Sequence, residues 1–106
     1  MFADDQKRLR IHLAAVIVNN FTNHLYALAE QFCLKEEIAF DLLRPLIEET
    51  AFGISRMAPN EAQTGPAIRH DNTTIEQHLK LLESHPGLRN FYLAFTESIQ
   101  RGGLQV

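Results

Sequence analysis

Apolar positions recur along the first third of the chain at helical spacing. Leu13, Ile17, Phe21, Leu25 and Leu28 follow one another at steps of four or three, and Ala14 and Val18 widen the stripe. This is the pattern of one covered helix face. Neither glycine nor proline interrupts the segment, so a single helix is predicted from about Asp5 to Phe32. The run Leu13–Val18 could form a buried strand, but its length and flanks favour helix. A second apolar face, formed by Leu42, Leu43, Leu46, Ile47, Thr50, Ala51 and Ile54, predicts a helix between about Phe40 and Met57. Pro45 has no amide hydrogen and belongs in or just beyond the first turn, which puts the start near Asp41.

The connection from Ala58 to Asn72 contains Pro59, Gly65 and Pro66, and loops of about 15 residues are uncommon in small domains unless they act. Thr73-Thr74-Ile75-Glu76 reads as a capping box, opening a third helix through Leu79, Leu82 and Glu83. Ser84-His85-Pro86-Gly87 breaks the chain. Leu88 to Gln100 then predicts a fourth helix with Phe91, Leu93, Ala94, Phe95 and Ile99, ended by Gly102-Gly103. The fold class is therefore all-α: a four-helix domain with one long first helix, spanning residues 1–106 as a single domain.

Length bears on assembly. A compact chain of 106 residues has a radius of gyration of about 13 Å and a diameter of roughly 33 Å, whereas a helix of about 27 residues is ~40 Å long. The first helix should overhang, yet Leu13–Val18 is apolar nearly all round. A second copy of the chain is the simplest cover, so Leu13, Val16, Ile17, Val18 and Phe21 are candidate residues of a homodimer interface.

Composition adds mainly exclusions. The apolar share is 45% and the charged share 22%, with 10 Lys plus Arg against 13 Asp plus Glu. A net charge of −3 gives no electrostatic reason to expect nucleic acid or an anionic membrane. The longest apolar run falls far short of the ~20 residues of a membrane span. Cys33 is the lone cysteine, which excludes an intrachain disulfide or a thiolate zinc site and fits a reducing compartment. No Gly-x-Gly occurs, so this chain is not expected to bind a nicotinamide cofactor by itself. His78 and His85 have no third partner at metal spacing, and no metal site is expected. Met1, followed at once by a charged helix start, fits an excised piece of a longer protein or a very short natural one.

Two groups of residues could line a cleft. At 100° per residue His12, Asn19, Asn23 and Glu30 fall within about 40° of one another, a polar stripe that is either a solvated face or a seam along a cleft or interface. His24 stands at the edge of the apolar stripe, where a hydrogen-bonded core histidine is also expected. The second group is the loop Thr64-Gly65-Pro66-Ala67-Ile68-Arg69-His70-Asp71. There Thr64 could cap a short turn, Gly65 leaves room for a ligand, and Arg69 could grip a carboxylate or phosphate. The same residues also suit a structural turn with an Arg69–Asp71 surface pair.

Taken together, His12-Leu13-Ala14-Ala15-Val16, Asn23-His24-Leu25, Leu42-Leu43-Arg44-Pro45-Leu46-Ile47, Thr64-Gly65-Pro66 with Arg69 and Asp71, His78-Leu79, and Phe91-Tyr92-Leu93-Ala94-Phe95 resemble one family over about residues 7–100. That family is the C-terminal helical domain, a domain of unknown function, of Rossmann-like NAD(P)-dependent oxidoreductases. It is similar to the C-terminal domains of 6-phosphogluconate dehydrogenase and pyrroline-5-carboxylate reductase. The resemblance implies a bacterial, cytoplasmic parent whose Rossmann domain holds NAD(P), and a helical half that dimerises and closes over substrate. Asn23, His24, Thr64, Gly65, Pro66, Arg69 and Asp71 would line that cleft; no residue is singled out as catalytic, and the chain alone should be inactive. The competing reading is a free-standing helical interaction module without a catalytic role.

Overall fold

The structure is a computed structural model in which residues 4–102 are described; Met1 and Gly103 lie outside them. Every regular element among these residues is helical, so the protein is all-α. The described residues gather into two compact units that divide between Leu42 and Leu43.

The first unit is dominated by one uninterrupted helical run made of α1 (Asp5–Ala15), a π segment (Val16–Phe21) and α2 (Thr22–Lys35). It starts where the sequence predicts and extends slightly beyond Phe32, to a length of roughly 46 Å. Asp4 caps it, its carboxylate accepting from the Lys7 amide at 2.6 Å. The π segment was not anticipated. It coincides with the β-branched run Val16-Ile17-Val18 followed by Asn19-Asn20, residues whose crowding and competing hydrogen bonds weaken the α-helix. The Thr22 hydroxyl donates to the Ile17 carbonyl at 3.4 Å, helping to satisfy that oxygen within the wider turn.

α2 ends in a Schellman motif. The Ile38 amide donates to Cys33 O at 2.8 Å and the Glu37 amide to Leu34 O at 3.3 Å, with Glu37 itself left-handed at φ 58°.

In the second unit a 3₁₀ turn (Phe40–Leu43), begun in the first, leads into α3 (Arg44–Gly53), with Pro45 in its first turn. The helix stops short of the predicted Met57. Past Gly53 the chain turns tightly, the Ser55 hydroxyl donating to Phe52 O at 2.6 Å in competition with the helical ladder. The connection predicted from Ala58 to Asn72 contains a one-turn helix, α4 (Pro59–Ala62), and then the Gly65 turn. α5 (Asn72–Leu81), a 3₁₀ turn (Leu82–Ser84) and α6 (Pro86–Gln100) complete it.

Two predicted boundaries are corrected. The cap of α5 is Asp71, not Thr73. The predicted break at residues 84–87 narrows, because Pro86 occupies the first position of α6 after a non-helical His85, where its missing amide costs nothing.

α5 and α6 are tied by His78 and Tyr92: His78 Nδ1 and the Tyr92 hydroxyl hydrogen-bond at 2.8 Å, and the rings meet edge-on with centroids 5.6 Å apart. Partial burial raises the Tyr92 pKa above its ordinary value. Ala67, Ile75 and Leu82 are the buried apolar residues of this unit.

Candidate functional site

The turn from Thr64 to Asp71 is shaped by backbone conformation. Gly65 has φ +102°, and a Cβ added there would meet no atom within 4 Å. The glycine is therefore needed for its left-handed angle, while the space beside it is open. Pro66 follows, and Pro66–Arg69 make a single helical turn closed by a second Schellman motif. The Asp71 amide donates to Pro66 O at 2.9 Å and the His70 amide to Ala67 O at 3.1 Å, with His70 at φ 53°. Thr64 contributes its carbonyl, which accepts from Gln63 Nε2 at 3.1 Å.

Asp71 holds the centre of this network. One carboxylate oxygen accepts from the Thr74 amide at 3.2 Å and the other from the Thr74 hydroxyl at 2.7 Å. Arg69 reaches the same carboxylate at 3.7 Å. Thr74's two hydrogen bonds, followed by the Arg69 charge, outweigh the small cost of burial and hold the Asp71 pKa below its ordinary value. The Arg69 side chain is 61% exposed, so its guanidinium remains accessible beside the open Gly65 turn. Thr74 was not anticipated, although the Asp-x-x-Thr spacing ahead of an apolar run was available as a capping signal.

The structure thus brings Thr64, Gly65, Pro66, Arg69 and Asp71 into one turn of the second unit. Asn23 and His24 lie in the first unit on α2, both exposed; His24 is no core histidine. The polar stripe is also redrawn. A π segment takes up about one extra residue, so everything beyond it lags by roughly 100°. Asn19, Asn23 and Glu30 stay in line, while His12 is rotated off by about a quarter turn.

Of the apolar candidates in this unit, Leu13, Ile17, Val18 and Phe21 are 50–72% exposed, and Val16 is half-buried. No helix among the described residues is long and apolar enough to cross a membrane, and no cluster of three potential metal ligands occurs among them.

These residues define an all-α protein with an exposed apolar helix face in one unit and a glycine-hinged, Arg-bearing turn in the other. Residues 1–99 match the family described as a domain of unknown function (DUF2520), and the chain belongs to it. Its fold is similar to a solved structure from Bacteroides fragilis described as a "putative NADP oxidoreductase", with a TM-score of 0.90 and 44% identity over 93% of this chain. The chain spans 38% of that protein's length. No curated protein matches.

Proposed function

We propose that this chain is the C-terminal substrate-cleft and dimerisation domain of an NAD(P)-dependent oxidoreductase, its cofactor held by a Rossmann domain of the same, cytoplasmic, parent chain. One observation carries the reading. The chain shares 44% identity with little more than a third of a protein described as a "putative NADP oxidoreductase", which leaves a remainder large enough for a dinucleotide-binding domain.

The Thr64–Asp71 turn is the chain's candidate contact for a substrate. The amides of His70, Asp71 and Asn72 are spent on carbonyls within the turn, and Arg69 is paired with Asp71. Its exposed guanidinium suits an anionic group of a substrate arriving from solvent. Thr64, Gly65 and Pro66 would shape that approach. The exposed Leu13–Phe21 face would be covered by a second copy.

The test compares the full-length parent with the isolated 106-residue chain by calorimetric titration with NADPH and NADH. The expected result is cofactor binding by the parent and none by the isolated chain. Micromolar binding by the isolated chain, or no binding by the parent, would overturn the reading.

A further inference from the structure

We propose that His78, its ring fixed by Tyr92, takes the proton from a hydroxyl or amino group of the substrate as hydride leaves the adjoining carbon; this rests on the oxidoreductase reading above.

The pair sits where apolar residues would serve as well. His78 stands one turn after Ile75 and one turn before Leu82, both buried. On α6 the half-buried row Leu88, Tyr92, Thr96 and Ile99 carries the tyrosine, while Phe91 and Phe95 are exposed. Polar groups on a covered face must be hydrogen-bonded, and the 2.8 Å bond between His78 Nδ1 and the Tyr92 hydroxyl meets that requirement. It occupies one ring nitrogen. Nε2 has no hydrogen-bond partner among the described residues, and no buried side-chain nitrogen or oxygen among them lacks one, so Nε2 is open to solvent.

An imidazole held through one nitrogen with the other free is arranged for proton exchange, because the bond made by the first fixes the tautomer that the second presents. Nδ1–H donating to the Tyr92 oxygen leaves the lone pair on Nε2. Partial burial raises the Tyr92 pKa, so its phenol stays neutral and serves as the acceptor. Tyr92 is thus a positioning residue, and His78 is the group that meets the substrate. Thr74, whose amide and hydroxyl donate to Asp71, lies four residues before His78, about 6 Å along the same face of α5. A substrate anchored by its anionic group at Arg69 runs along this face to Nε2. Hydride passes from its carbon to the oxidised nicotinamide, the O–H or N–H proton passes to Nε2, and a C=O or C=N bond forms.

Two measurements test the assignment. Long-range proton–nitrogen NMR of the 106-residue chain at pH 8, above the ordinary histidine range, is expected to show His78 protonated at Nδ1 and bare at Nε2. Tyr92→Phe should release that preference. A proton on Nε2 in the unaltered chain would overturn the proposal, because Nε2 would then have no lone pair to offer. The full-length parent is next supplied with NADP and a panel of small alcohols and amines that carry a carboxylate or phosphate. For a member that it oxidises, His78→Gln is expected to lower kcat by about 10²–10⁴-fold with KM little changed, since glutamine keeps a polar contact to Tyr92 and cannot take a proton. An unchanged kcat, or a parent that binds cofactor and oxidises no member, would overturn the proposal. A parent that binds no cofactor would instead overturn the oxidoreductase reading beneath it.

Discussion

Glu37 and His70 are the two non-glycine residues with positive φ among those described, and each occupies the left-handed position of a Schellman motif. A side chain there costs about 1–2 kcal/mol, against the roughly 0.5–1 kcal/mol that glycine's extra freedom costs on folding. Glu37→Gly and His70→Gly are each expected to raise Tm by a few degrees in calorimetry. Gly65→Ala is the converse: with open space around its Cβ, the loss of about 1–2 kcal/mol is conformational. Asp71 adds a pH dependence. Its folded pKa lies below the unfolded value, so its contribution is fully present above the unfolded pKa and lost as pH falls through the folded one. Asp71→Asn keeps a capping oxygen and is expected to flatten Tm between about pH 5 and 3 relative to wild type. In the proposed parent enzyme, Arg69→Ala is expected to raise KM for an anionic substrate about tenfold to a hundredfold, the loss of a charge-assisted hydrogen bond; an unchanged KM would reduce the Arg69–Asp71 pair to a surface ion pair.

At the scale of elements, the His78–Tyr92 bond is a specific tie between α5 and α6. Tyr92→Phe and His78→Ala are expected to show a coupling of about 0.5–1.5 kcal/mol in a double-mutant cycle of thermal unfolding. Helix identity was legible in the sequence because apolar spacing and the placing of Pro45 act over many residues at once. Boundaries were less so. Asp71 and Thr73 each offer a capping side chain, and the Asp71 carboxylate takes the Thr74 amide, which starts the helix at Asn72 and leaves Thr73 inside its first turn. The π segment escaped a wheel drawn at one fixed angle, and with it the true neighbours of His12. The turn around Gly65 was legible from Gly-Pro and from the Arg69–Asp71 spacing. The left-handed angle at His70 was not, since nothing in a histidine announces it.

For the whole molecule, few side chains are deeply enclosed: Cys33, Ala67, Ile75 and Leu82 are the buried apolar residues described, while many larger ones on the long helix face outward. Ile17→Glu, which would put a carboxylate in the middle of the exposed apolar face of the long helix, is expected to shift the sedimenting species from the proposed dimer to monomer. The sparse interior has a thermodynamic corollary. A chain that completes its apolar burial against a second copy folds and associates in one linked equilibrium, so its melting temperature is a function of how much of it is in the tube. Diluting the protein should lower Tm, and the heat capacity change per chain should exceed what its own enclosed side chains supply. Stability here would belong to the pair, and one molecule considered alone would have no fixed value of it.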